Sequence, residues 1–246
     1  MLLRAAQFPA ALTHGFTTRH GGVSQGRFAT LNLGERWGDD PEAVAENYRR
    51  VAAAGGFAPE ALLRVRQVHG DAVLAGCEAR ADSEADALWL HRDHPGPKGV
   101  IGVLTADCVP ILLCDRRATV AAAVHSGWRG TVANIAARTV EALTSAGAAP
   151  EDLLAAIGPC IELDAFEVGE EVAEQFDARF IARAGFEKPH VDLLACVRAQ
   201  LEAAGVPANQ IERVGGCTHA NPDLYFSYRR DGAGIGQQLS FIGLRR

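Results

Sequence analysis

Four short apolar runs, at 63–68, 100–104, 109–114 and 119–124, restrict the fold of this chain more than anything else in it. Each is bounded by turn-forming residues and is too short for a helix. Such runs read as strands covered on both faces. Helical patterns accompany them without a strict strand-helix alternation. Asp40-Pro41, followed by Val44, Tyr48 and Val51 and closed by Gly55-Gly56, predicts a helix with an Asp cap, a proline in its first turn and a glycine stop. The spans 131–145 and 191–204 predict two more, the latter with Leu194, Val197 and Leu201 on one stripe. This mixture predicts an α+β protein with mixed central β-sheets flanked by helices, in preference to a doubly wound parallel sheet. No repeat or linker divides the chain, so residues 1–246 read as a single domain. The segment 79–99, with its charges, two prolines and two histidines, reads as an exposed loop that contains a short strand around 87–90.

Charge narrows the partners. The chain has 24 Lys and Arg against 30 Asp and Glu, a net charge of −6, which is the wrong balance for binding a polyphosphate strand, so nucleic acid is not an expected partner. No stretch approaches the ~20 apolar residues of a membrane span, and the opening residues lack a clean export cleavage site. A cytoplasmic location is expected. Six cysteines at irregular spacing, with no C-x-x-C pair, describe neither a disulfide framework nor a zinc finger. Cys77, Cys114 and Cys196 lie in apolar runs and are expected in the core. Cys160 and Cys217 follow glycines at strand ends, where each reads as a buried thiol or as part of a pocket wall.

Three reactive residues stand where apolar runs meet Gly or Asp: His69 in QVHG, Cys108 in TADC and His125 in AVHSGWRG. Their separations, 39 and 17 positions, are too long for a finger. They suit a site assembled from separate strand ends, with three protein ligands and an open fourth position. Two imidazoles and a thiolate suit zinc, and copper as well. A metal so held lowers the pKa of a bound water from ~15.7 towards ~7 and polarises a substrate atom. Against this stands the ordinary role of a lone His as a hydrogen-bonded structural residue and of a lone Cys as a small hydrophobe. Arg129 in SGWRGT, Arg19 in TTRHGG and Arg229 or Arg230 in YFSYRRDG adjoin glycines or turns, and each is either an anion contact or solvated surface charge. Asp107 orients a ligand, acts as a base, or caps its turn with its carboxylate.

Taken in order, FTTRHGGVSQG, TLNLGERWGDDPEAVAENYRRVA, QVHGDAV, TADCVPILLCD, AAVHSGWRGT, IGPCIELDAFEVGEEV, GGCT and YFSYRRDG resemble the YfiH-like family, and the likeness spans nearly the whole chain. That family was once called laccase-domain or multicopper polyphenol oxidoreductases and is now described as bacterial purine nucleoside phosphorylases. The resemblance implies an α+β sandwich of the cysteine-hydrolase type. It implies His69, Cys108 and His125 as the metal ligands and catalytic centre, zinc or copper as the cofactor, and Arg19, Asn32, Arg129 and Arg229 as substrate contacts. The implied substrates are purine nucleosides (adenosine, inosine, guanosine and methylthioadenosine) and inorganic phosphate, with hydrolytic deamination of adenosine as a further activity. Monomer and homodimer both stay open. Two departures are visible: Gln237 stands where the family usually has arginine, and Ser126 where alanine is common.

Three other readings use the same atoms. A metal-free cysteine hydrolase or amidase would employ Cys108 as nucleophile with His125 or His69 as base, in line with the peptidoglycan-precursor editing attributed to some relatives. A non-catalytic binding module would keep the trio as a structural site. A copper polyphenol oxidase is disfavoured, because one three-ligand site lacks the several coppers that four-electron oxygen chemistry needs.

Overall fold

A computed structural model describes residues 1–94, 96 and 99–244. Along these residues run β1 (Leu2–Leu3), β2 (Leu12–Thr17), β3 (Leu62–Leu63), β4 (Val73–Ala75), β5 (Ala87–His91), β6 (Val100–Thr105), β7 (Val109–Asp115), β8 (Val120–Ser126), β9 (Leu153–Ile157), β10 (Ile181–Ala182), β11 (His190–Val191), β12 (Ile211–Arg213) and β13 (Gln238–Leu244). The helices of four or more residues are α1 (Pro41–Gly55), α2 (Trp128–Val132), α3 (Ile135–Ser145), α4 (Glu170–Ala173), α5 (Leu193–Ala203) and α6 (Tyr228–Asp231). None of them is long and apolar enough to cross a membrane.

The strands form a five-stranded sheet, β1-β2-β13-β6-β3, a six-stranded sheet, β12-β9-β7-β8-β5-β4, and a small β10-β11 pair. Both large sheets are mixed: β4 pairs with β5, β12 with β9 and β3 with β6 in parallel, while the central pairs are antiparallel. Alternation along β7 and β8 places the layers. Val109, Ile111, Leu113, Val120, Ala122 and Val124 join a core shared with α3 and α5. Leu112, Cys114, Ala121 and Ala123 face the other way, onto Phe16, Ile101, Val103 and Ile242 of the second sheet. That sheet's outer face packs Leu239, Phe241 and Val100 on Val51 of α1 and on Leu31 and Leu33 from the segment before it. The result is four layers, helix, sheet, sheet and helix. This explains antiparallel strands that are apolar on both faces: one side meets a sheet and the other helices.

Three expectations need correction. The strand at 63–68 ends at Leu63. Beyond it the chain is held by the Gln67 side chain, whose amide donates to the Leu104 carbonyl and accepts from the Leu104 N–H, both at 2.8 Å. The helix read over 131–145 is two helices, which begin earlier, at Trp128, and part at Asn134 in the left-handed region (φ 61°). Cys77 is exposed rather than core, because β4 stops at Ala75 and Cys77 lies in the turn that follows. Within 79–99, β5 supplies the strand expected around 87–90, and 80–82, 84 and 92–94 are exposed as expected, while Ala79, Ala85 and Asp86 are buried; 95, 97 and 98 lie outside the described residues.

Candidate metal centre

Strand register builds the site. Pairing of β7 with β8 sets Val109 opposite Ser126 and Pro110 opposite His125, which brings Cys108, just before β7, beside Gly127. Next to β8 lies β5, with Ala87 opposite Val124, so the residue before Ala87, Asp86, reaches His125; its carbonyl accepts the His125 N–H at 2.7 Å. His69 arrives from the loop between β3 and β4. The ligand atoms of His69, Cys108 and His125 all lie within 4.8 Å of one another, and the two imidazoles meet edge to face with ring centroids 4.8 Å apart. His125 is 2% exposed, Cys108 is half-buried and His69 is exposed, so the cluster opens to solvent on the His69 side.

Two buried carboxylates hold the loops. Asp86 Oδ1 lies 2.7 Å from His125 Nδ1 and accepts from the His69 N–H at 3.0 Å; its Oδ2 accepts from Gly70 and Val68 N–H groups at 2.7 and 3.2 Å. Asp107 accepts from the Thr218 hydroxyl at 2.5 Å and from the Arg229 N–H at 2.6 Å, while its carbonyl accepts the Ile161 N–H at 2.9 Å. This clamp joins TADC to the IGPC, GGCT and YRRD segments. His69 (φ 60°) and Asp107 (φ 90°) both sit in the left-handed region, strained for residues with a Cβ, and the bonds to the carboxylates keep them there. Gly127 floors the cluster: a Cβ there would stand 3.1 Å from His69 Cδ2 and 3.2 Å from Cys108 Sγ.

The electrostatics follow from this packing. Burial works against the Cys108 thiolate, but the His125 charge and hydrogen bonds from His125 and His69 outweigh it and bring the thiol down to about 6. Burial likewise opposes charge on His125, yet Cys108 and Asp86 raise it to about 9. Asp86 is held below the usual carboxylate range because the His125 ring and the Gly70 and Val68 N–H groups outweigh the effect of its burial. Without a metal the pair is a thiolate beside an imidazolium. Two nitrogens and one thiolate, gathered at one point with an open side, fit a tetrahedral zinc ion with a free fourth position, and copper as well.

The other expected contacts lie as follows. Arg129 is exposed and stacks on Trp128 at 4.2 Å, with no hydrogen bond or ion pair among the described residues. Arg229 donates its guanidinium to the Glu167 carbonyl at 2.7 Å and faces the Phe166 ring. Arg19 donates to the Ala29 and Pro222 carbonyls, both at 2.8 Å, and covers Phe226. Asn32 is fully buried and bonds Gly34 and Asp39, and its Oδ1 accepts the Gln237 N–H at 2.9 Å, so a direct substrate contact would need this network to open. Gln237 packs its amide on Gly34. Ser126 exchanges a 2.8 Å hydrogen bond with Thr131. Cys160 and Cys217 are buried neighbours across a β-bridge, and burial pushes Cys160 up to about 12. Sequence reasoning missed Asp86, Gln67 and Thr218. Only Gln67 carried a signal, as the polar residue two before His69 in a run read as strand.

Residues 13–245 match a family model described as multi-copper polyphenol oxidoreductase laccase. A purine nucleoside phosphorylase of Deinococcus radiodurans is 46% identical over 248 residues, spanning 100% of this chain and 93% of its own length. The purine nucleoside phosphorylase YfiH of Escherichia coli is 41% identical, over 93% of this chain and 92% of its own. Among solved structures, YlmD from Geobacillus stearothermophilus superposes with a TM-score of 0.86 at 33% identity, covering 98% of this chain and 94% of that one.

Proposed function

The chain belongs to the family described as multi-copper polyphenol oxidoreductase laccase, and on that premise we propose that it is a metal-dependent purine nucleoside phosphorylase with a secondary adenosine deaminase activity. The relatives' names supply the reaction class. The observation that carries the metal dependence is the convergence of His69, Cys108 and His125 within 4.8 Å, open on one side. These three residues would hold the ion, zinc first and copper second, and when bound it supplies a Lewis acid at the mouth of the site.

Phosphorolysis breaks the bond between ribose C1′ and the base nitrogen and makes a new one from C1′ to a phosphate oxygen. The base leaves with the bonding electrons, so stabilisation is needed where negative charge grows on it. Of Arg19, Arg129 and Arg229, the candidate anion contacts, Arg129 is the one whose guanidinium has no hydrogen bond or ion pair among the described residues, and it serves as the anion contact. Arg229 sets the Asp107 clamp through its N–H and braces the 165–167 segment. His69, exposed at the opening, is the group placed to meet the base. Adenosine, inosine, guanosine and methylthioadenosine are the proposed substrates, with phosphate as co-substrate.

One observation favours a second reading. Cys108, His125 and Asp86 form a continuous nucleophile, base and orienting acid, the arrangement of a cysteine hydrolase. Metal analysis of the purified protein, combined with an assay that separates free base from deaminated nucleoside, decides between them. Metal-dependent, phosphate-dependent release of hypoxanthine from inosine, lost together with the metal in Cys108→Ala, is the expected result. Phosphorolysis retained by a metal-poor Cys108→Ala protein overturns the phosphorolytic metal centre. Acyl-ester hydrolysis that survives exhaustive chelation, without phosphorolysis, favours the hydrolase.

A further inference from the structure

The supports of both imidazoles meet at Asp86. It is fully buried, and every hydrogen bond its carboxylate accepts comes from a histidine-bearing segment: the His125 ring on Oδ1 at 2.7 Å, the His69 N–H on Oδ1 at 3.0 Å, and the Gly70 and Val68 N–H groups on Oδ2 at 2.7 and 3.2 Å. Its own carbonyl takes the His125 N–H. We propose that Asp86 is the positioning residue of the centre: one carboxylate that sets the His125 imidazole through its ring and the His69 imidazole through its backbone, so that the two keep their mutual placement as a unit. The proposal rests on the metal-centre reading above.

The chemistry of an ionised carboxylate makes the role specific. It only accepts, so the ring nitrogen facing it must carry the proton; with an ion bound, His125 would keep its proton on Nδ1 and offer Nε2. At the other imidazole the carboxylate works through conformation. His69 has φ 60°, which a residue with a Cβ avoids, and three successive N–H groups converging on one carboxylate hold the loop in it. Asparagine is nearly isosteric but unsuitable: whichever way its amide turns, the NH2 group faces N–H donors, either at His125 and His69 or at Gly70 and Val68. The residue is thus distinct from the three ligands and from the Asp107 clamp, whose bonds run to Thr218, Arg229 and Ile161 and touch neither histidine segment.

Cobalt(II) titration of the intact protein and of Asp86→Asn, with zinc affinity read by competition with a chromophoric chelator, tests this. In the folded variant the affinity is expected to fall ten- to a hundredfold, and both the ligand-field and the thiolate-to-cobalt charge-transfer bands should shift, since both imidazoles lose their placement. Nitrogen-15 NMR of the zinc-loaded wild-type chain gives a reading that needs no variant: His125 should be protonated on Nδ1. Asp86→Asn protein that melts earlier yet binds cobalt with unchanged affinity and spectrum overturns the proposal, as does a wild-type His125 protonated on Nε2. A wild-type chain that takes up no cobalt overturns the metal centre itself and is recognised before any variant is compared.

Discussion

At the scale of single residues, the site contains a thiolate whose charge depends on its neighbours. Cys108 is brought down to about 6 by the two imidazoles against the opposing effect of burial, so in metal-free protein it is ionised through the neutral range, where an ordinary thiol of pKa ~8.5 is only a few per cent thiolate. Iodoacetamide labelling of the metal-free protein, followed by peptide mass spectrometry, should modify Cys108 with a rate that rises with pH through about 6 and is level above pH 7. Zinc loading should suppress it. A rate that rises only through the ordinary thiol range would remove the imidazole contacts from the account. The trio was legible because each member interrupts an apolar run at a Gly or Asp. Asp86 was not, because a single acid ahead of a strand has no local pattern, and its role comes from three segments brought together by register.

Elements vary in how far local signals define them. Helix α1 was readable to its ends: Asp40 accepts from the Glu42 N–H at 2.9 Å, Pro41 opens the first turn, and Gly56 ends it in the left-handed region at φ 74°. Replacing Asp40 with alanine removes one cap and should cost about 1 kcal/mol, a fall in melting temperature of roughly 2–4 °C for a chain of this size. The kcat of the enzyme should not change, since α1 packs on the far side of the five-stranded sheet. A loss of activity without loss of stability would contradict that placement. The break at Asn134 was not legible, because 131–145 is apolar-periodic throughout and the helices part only where Asn134 takes the left-handed region. Strand β3 failed for the opposite reason. The run at 63–68 has strand composition, but the Gln67 amide takes over the ladder contacts of β6 and frees the chain to turn towards His69.

For the whole molecule, the mixed α+β architecture followed from the absence of strict strand-helix alternation, whereas the four layers did not. A strand apolar on both faces says that it is covered, not by what. Three cores stack across the two sheets; Cys108 and His125 sit at the ends of β7 and β8 in the middle of that stack, and His69 comes in from the loop between β3 and β4. The three cores are apolar and none of them includes His69, Cys108 or His125, whose ligand atoms gather within 4.8 Å of one another. X-ray absorption at the zinc edge, on protein loaded with one equivalent, reads this donor set directly. The account predicts one sulfur near 2.3 Å and two imidazole nitrogens near 2.0–2.1 Å, with the sulfur lost in Cys108→Ala. A zinc environment of nitrogen and oxygen alone in the unmodified protein would contradict it.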